Sequence, residues 1–564
     1  MQITYPKHLL ALAPMALLAP QPVLAAGSLV QLDRFTGPAS SSEIIAFDAG
    51  SRLLYNTYGS VGNAGIQIVD ASNPTALSSL GEIDMSSFGG QSVKSISAVA
   101  ADPLGRGFGV ATFIPENSGS NPGRVVFFDP ETKSVLHSVE VGYHPDMVRF
   151  SADGSKIYVA NEGEPLSEGT APNLTHLDSP GSISIIDVSA VASKSDVTGL
   201  GGGQVGTYDF SGVDLSGVRV HPSNNPDLTP GAFRFNDIEP EYITELGNKL
   251  YVSLQENNAV GEFDIASRTW TKVTSLGTIA QTIDASDRDG GIHIDDVVRG
   301  MPMPDGIASY SANGLNLVVT ANEGDGRPPD FALDGHPVSL RDDPRVSDLT
   351  LDAGFKAQLD TLYGGANSTA NSRLGRLRVS RFDSDTDGDG DADQLLMFGT
   401  RSFSIWDADS GSLVWDSGSF FETLTSIEVP DLFNSEGTED TLDGRSPNKG
   451  PEPEGITLGD VNGKTWAFVG LERVGGVMVF DISDPFHPDF IDYINTGEIA
   501  PEGLTFVPAA DSPTGVPLLY VGYEVSSQIG VYAVVVPETG HLAPWLVAFG
   551  LGAFGWHRRQ RRIS

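Results

Sequence analysis

The 564 residues contain no cysteine. That excludes disulfides, thiolate nucleophiles and cysteine-based zinc sites, so an exported chain of this kind needs another staple, and bound metal is one. Basic residues are scarce: 34 Lys and Arg stand against 73 Asp and Glu, a formal charge of −39. Such a surface repels phosphate backbones, which argues against nucleic acid as a partner and suits divalent cations or a salty medium. No long heptad or amphipathic run stands out, and no Ser-centred nucleophile elbow, P-loop or HExxH appears. What the chain does have is 65 glycines and 36 prolines, a composition of many short strands and turns.

Both ends read as addresses. In residues 1–26, Lys7 and His8 precede an apolar stretch, Leu9–Leu18, and "VLA" at Val23–Ala25 offers small residues for signal peptidase. At 537–564 an apolar stretch, Leu542–Trp556, leads to Arg558, Arg559, Arg561 and Arg562. Its helical length of about 22 Å falls short of the ~30 Å hydrocarbon core. With the "VPETG" motif before it, this layout resembles the PEP-CTERM sorting signals of Gram-negative bacteria. It implies export to the cell surface or extracellular matrix, with membrane contact only through a processed signal.

Between the ends, residues 28–536 repeat themselves. A proline, an acid and an apolar strand recur in "HPDMVRF" from His144, "EPEYIT" from Glu239, "MPDGIA" from Met303, "GPEPEGITLG" from Gly450 and "APEGLTF" from Ala500. Each step opens a strand, a turn and a second strand ending in another acid. A third strand then closes on aspartate, as in "SISIID" to Asp187 and "VMVFD" to Asp481. Such a four-stranded meander buries both faces only by stacking on others, which predicts one all-β propeller; two tandem sandwiches are the alternative. The units 43–90, 93–140, 145–215, 240–275, 304–385, 395–420, 454–495 and 502–536 count to eight. Because 395–420 lacks a clear first strand, seven is equally arguable. "SLVQLDRF" at Ser28–Phe35 would supply the outer strand of the last blade. Long polar insertions at 165–180, 195–235, 276–300, 326–372 and 425–450 would stand on the rim.

First strands of a propeller line its channel, so the steps would crowd acids at one mouth. The expected pairs are Asp146 with Glu162, Glu241 with Glu256, Asp305 with Glu323, Glu454 with Glu472, and Glu502 with Glu524. So many carboxylates need cations among them, and hard oxygen donors suit Ca²⁺, or Mg²⁺ or another divalent ion. Arg149, Arg327, Arg445, Lys449 and Arg473 lie close by in sequence, and His144 reads as a structural neighbour. A separate loop, "DSDTDGDGDAD", places Asp383, Asp385, Asp387 and Asp391 in a calcium-loop pattern, with Gly388 at the bend. It departs from an EF-hand in having Gln394 where the closing Glu would stand.

Longer phrases carry a family resemblance: "DIEPEYITELGNKLYVSLQENNAV", "VVTANEGDGR", "DGDGDADQLLMFGTRSFSIWDA" and "GRSPNKGPEPEGITLGDVNGKTWAFVGLERVGGVMVFDISDP". Through them the chain resembles the choice-of-anchor I domain, a family that includes mesenchyme-specific cell-surface glycoproteins. The resemblance implies an extracellular, surface-held propeller. It also brings an association of animal relatives with calcium mineral and of some bacterial members with alkaline phosphatase-like proteins.

Two functional readings follow. In the first, the chain is a calcium-loaded binding or matrix protein for polysaccharide, mineral or a neighbouring surface. In the second, it is a metal-dependent phosphoesterase. There Glu454 would hold metal at the reacting centre, and Arg327, Arg473 and Lys449 would hold the phosphate ester.

Overall fold

The computed structural model describes residues 28–37, 44–164, 166–170, 173–177, 179–220, 237–326, 331–333, 336–338 and 342–536. The chain divides into Leu29–Val535, which holds the sheets, and a second unit made of Met1–Ser28 and Val536–Ser564. The expected export signal, 1–26, and sorting tail, 537–564, lie outside the described residues.

The all-β expectation holds: strands dominate, and the described residues include only three α-helices. Six four-stranded antiparallel sheets and one six-stranded sheet, the second, are built on the same meander and are numbered I to VII from their first strands. These first strands are Ile45–Asp48, Val99–Ala101, Pro145–Phe150, Pro240–Leu246, Ile307–Ala312, Pro453–Val461 and Pro501–Val507. Sheet VII takes its fourth strand from the other end of the chain, where Ser28–Thr36 lies beside Gln528–Val535, as the sequence suggests.

Local chemistry explains the meanders. Apolar residues fill the second and third strands, which are buried on both faces, as in Lys156–Asn161 and Ser182–Asp187 of sheet III. The aspartates that end third strands accept N–H groups of the next turn. Asp264 takes Ser267 and Asp407 takes Ser410, each at 2.7 Å. These are Asx turns, with the carboxylate satisfying backbone donors that the ladder leaves behind.

Sheet V settles the ambiguous eighth unit. Leu315–Asn322 pairs with Ser402–Asp407, with Val318 opposite Trp406. The units 304–385 and 395–420 are therefore two halves of one sheet, separated by a long insertion. That insertion joins the 279–301 segment in a satellite layer. A small sheet of Ile279–Ile283, Asp296–Met301 and Leu396–Phe398 encloses a core that includes Val298, Leu374, Val379 and Met397. Helix Ala353–Leu362 starts at Asp352, whose side chain accepts the Phe355 N–H, and it adds Leu359 to that core.

The main cores lie between consecutive sheets. Phe113 and Phe128 of sheet II meet Tyr55 and Ile66 of sheet I, and Ile183 of sheet III meets Val252 of sheet IV. Phe403 of sheet V meets Phe480 of sheet VI with ring centroids 4.8 Å apart, and Tyr520 of sheet VII meets Phe47 of sheet I at 5.5 Å. First strands touch in the order I–II–III–IV–V–VI–VII, and VII returns to touch I. All seven contribute to the lining of one cavity of about 580 Å³.

Candidate metal centre

The proline–acid steps open the first strands of sheets III, IV, VI and VII and lie just before that of sheet V, and their geometry aims the acids. The residue before the proline is left-handed in four of the five: φ is 47° at His144, 48° at Met303, 53° at Glu452 and 61° at Ala500. Non-glycine residues adopt this conformation only at a cost, and it turns the chain sharply into the strand. Three of these residues then accept the N–H of the acid that follows the second strand. His144 takes Glu162, Glu452 takes Glu472 and Ala500 takes Glu524, each at 2.8 Å. The two acids of these three expected pairs are thus tied to one turn.

A bulge follows. In sheet III, Pro145 pairs with Asn161 and Met147 with Ala160, so Asp146 has no opposite number. Sheets IV, VI and VII each carry one extra residue between Pro240 and Ile243, Pro453 and Ile456, and Pro501 and Leu504. Bulges bend a strand and redirect side chains, here at the acid. Glycine after the acid lets neighbouring first strands close up. A Cβ on Gly306 would lie 2.4 Å from the Glu454 carbonyl oxygen, and one on Gly455 would lie 2.3 Å from that of Glu502.

The result is a set of carboxylate triads whose ligand atoms lie within 4.8 Å of one another. Asp146, Glu162 and Glu241 form one, and Asp305, Glu323 and Glu454 another. Glu323 also belongs to a triad with Glu452 and Glu472, and Glu162 to a group with His144 and Glu164. Seven of the ten expected acids therefore converge. Glu256, Glu502 and Glu524 are not in a triad, although Glu256 acts on Glu241 and Glu502 on Glu454 through space.

Two ionised carboxylates at this range repel by roughly 3–4 kcal/mol at an effective dielectric near 20. The protonation of the site reflects that strain. Burial, then Glu162, pushes Asp146 up to about 7. Burial also drives Glu241, Asp305 and Glu454 well above the usual carboxylate range, reinforced by Glu162, Glu323 and Glu472 respectively. Among the described residues no lysine or arginine forms an ion pair with Asp146, Glu241, Asp305 or Glu454. The Oε2 atoms of Glu256 and Glu454 are buried without a hydrogen-bond partner, and Glu256 is only 7% exposed. Desolvated, unpaired oxygens from several strands fit a hard divalent ion.

Cations enter elsewhere in the mouth. Lys449 Nζ lies 2.5 Å from Glu323 Oε1 and 3.6 Å from Glu452 Oε2. Glu452 is fully buried and also pairs with Arg445 and Arg473. Burial alone would raise Glu452, but these three cations hold it below the usual range. The expected phosphate-holding residues Lys449 and Arg473 are thus committed to carboxylates, while Arg327 lies outside the described residues. Near the other triad, His144 Nδ1 is 2.9 Å from Glu162 Oε2, and Lys94 Nζ is 3.3 Å from Glu164.

Sequence reasoning missed Glu452, Glu164, Lys94 and Tyr242. Glu452 could have been found as the residue before the proline, the position His144 holds in its own step. Tyr242 follows an acid in the bulge; burial raises its hydroxyl, and Asp305, Glu502, Asp146 and Glu454 add to that from four other strands.

The aspartate loop departs from its expected ligand set. Asp385, Asp387 and Asp393 cluster, whereas Asp383 and Asp391 do not join them. Asp383 sits in the short helix Arg381–Ser384 and pairs with Arg219 Nε at 2.8 Å. Asp385 accepts the N–H groups of Gly388 and Gly390, and Asp393 that of Thr386, so backbone donors already hold the loop.

The choice-of-anchor I domain model matches residues 43–485. Over 235 residues the chain is 30% identical to a mesenchyme-specific cell surface glycoprotein of Strongylocentrotus purpuratus, covering 36% of this chain and 28% of that protein. It is also 30% identical over 172 residues to gigasin-3a of Magallana gigas, covering 26% of this chain and 60% of that one. The chain therefore spans less than two thirds of either relative. Among solved structures, hydrazine synthase of Kuenenia stuttgartiensis is 14% identical with a TM-score of 0.44, over 89% of this chain and 98% of that one.

Proposed function

Starting from a chain that belongs to the choice-of-anchor I domain family, we propose an exported, surface-held binding or matrix protein that carries calcium at the mouth of a seven-bladed β-propeller. The ring is supported by seven meander sheets whose first strands touch in cyclic order around one cavity. Two tandem sandwiches would not join VII back to I in this way. Surface placement is supported by the name of the sea-urchin relative.

One observation carries the calcium reading: Asp146, Glu162 and Glu241 converge from neighbouring sheets and, among the described residues, no lysine or arginine is paired to Asp146 or Glu241. Burying such a set is costly unless a cation joins it. Ions held there keep ligand positions for an outside oxyanion, so the matching partners are acidic polysaccharide, mineral or a phosphate ester. The test is calcium binding to the purified chain beside E241Q and E454Q. Each variant should lose an ion, and unchanged binding in both would end the reading.

The phosphoesterase reading uses the same ions and asks Lys449 and Arg473 for the phosphate, though both are engaged with Glu452. Turnover of a model phosphomonoester, abolished by chelator and by E454A, would establish it over binding alone.

A further inference from the structure

The two halves of the mouth repeat one arrangement. In each, the acid after a second strand is shared between two clusters: Glu162 between Asp146–Glu162–Glu241 and His144–Glu162–Glu164, and Glu323 between Asp305–Glu323–Glu454 and Glu323–Glu452–Glu472. In each half one cluster is paired with basic side chains, and in the other, among the described residues, only the shared acid is.

The clearest case is Lys449. Its ammonium lies against Glu323 and Glu452, and 3.7 Å from Asp325. It is held there by a rigid support. Arg401 is 1% exposed and donates from Nη2 to the carbonyls of Ser446 and Asn448, at 2.6 and 2.9 Å. Its Nη1 pairs with Glu422 of the helix Phe420–Glu428 at 2.6 Å. The Gly450 N–H closes the turn onto the Arg445 carbonyl. Lys449 therefore arrives on a fixed turn, with little rotamer freedom left to lose. Glu454, whose Oε2 is buried without a hydrogen-bond partner, forms with Asp305 and Glu323 a triad in which, among the described residues, only the shared Glu323 meets a lysine or arginine.

We propose that Lys449 is a tethered counter-cation filling one of two adjacent cation positions that share Glu323, which closes Glu323–Glu452–Glu472 to divalent ions and leaves Asp305–Glu323–Glu454 as the position that takes one. The inference rests on the reading of the mouth as a divalent-cation site. An ammonium at hydrogen-bond range supplies one positive charge and three donors where a metal would supply two charges and a coordination sphere. A carboxylate shared between them is half neutralised by each. The long insertion that carries Lys449 thereby sets how many ions the mouth holds.

Calcium alone is the probe, counted by equilibrium dialysis against the full chain. K449M keeps the stem and removes the charge, and it should bind one more ion per chain than the parent. K449R should bind the parent number. E472Q should also bind the parent number, because its cluster holds Lys449, whereas E454Q should bind one fewer. K449M without an extra ion, alongside E454Q with one fewer, overturns the tether and leaves the metal site standing. Should K449M not fold, a loss of one ion in E472Q overturns the tether by itself. Unchanged counts in both E241Q and E454Q would instead overturn the metal reading on which the tether depends.

Discussion

At Asp146 and Glu241 the mouth gathers carboxylates that pair with no lysine or arginine among the described residues; at Glu452 and Glu472, about the same number of carboxylates surround Lys449, Arg445 and Arg473. The backbone device is the same on both sides, a left-handed residue, a proline and a bulge at His144–Asp146 and at Glu452–Glu454. The difference lies in what occupies the position before the proline and in what the nearby insertions bring. One side settles its charge internally and belongs to the fold. The other leaves it for protons or for an ion from outside, and that imbalance is the stronger mark of function.

The largest effect should come from the side that is already neutral. Glu452 is fully buried, and E452Q leaves Lys449 and two arginines without their shared partner. Removing one member of a buried ion network costs about 3–5 kcal/mol. Chemical denaturation should place E452Q well below the parent with or without calcium. A loss confined to calcium-loaded protein would move Glu452 to the metal-holding side.

E241Q should do the reverse. In chelator it removes a repelling charge, so the fold should be no weaker than the parent. In calcium it forfeits one charged contact, roughly 1.5–3 kcal/mol, which is about a 10- to 100-fold loss of affinity. Isothermal titration checks this, and equal weakening of apo and loaded protein would erase the contrast between the two halves.

Much of this was legible in the chain. Proline and acid before an apolar run are local signals, and they mark where the first strands of sheets III to VII begin because turn chemistry is written in adjacent residues. The closing strand at Ser28–Thr36 was legible by count: the last unit supplies only three strands of its own to sheet VII. Sheet V was not. Its second and third strands, Leu315–Asn322 and Ser402–Asp407, are split by an insertion with its own core, and no local signal tells a distant partner from a new unit. Asp383 failed differently. Its spacing fits a calcium loop, but Arg219 from a remote segment claims its carboxylate. Lys449 was placed near the acids correctly; that its charge is consumed there depends on Arg401 fixing its turn, a contact between residues 45 and 47 positions apart.

Acidity offers the next test. Asp146 stands at about 7 against an ordinary 3.8, and Glu472 at about 8 against 4.5. The folded, metal-free chain keeps these protons where the unfolded chain has released them. Their contribution to stability is therefore full below about pH 4 and is lost as pH rises through about 7 to 8. Calcium competes with the Asp146 proton, so its affinity should climb as pH rises towards about 7 and its stabilising effect should be greatest at the alkaline end. Thermal melts in chelator and in calcium, at several pH values between about 5 and 8, should diverge as pH rises. Parallel curves would mean that the ion sits away from Asp146.

The smallest effect should belong to the aspartate loop, and it sharpens the comparison by supplying a third kind of acidic cluster. Asp385, Asp387 and Asp393 approach one another as closely as the acids of the mouth, yet Asp387 is exposed, and Asp385 and Asp393 are satisfied by Gly388, Gly390 and Thr386. Water and salt screen such charges, so proximity alone stores little energy there, whereas in the mouth it is desolvation that makes proximity expensive. D387N should therefore leave the denaturation midpoint in chelator unmoved. Its calcium-dependent shift should be smaller than that of E241Q, because a loop already held by its own backbone donors gains little order from an ion. A calcium-dependent loss in D387N as large as in E241Q would show that closeness of carboxylates, and not their burial, decides where this chain holds metal.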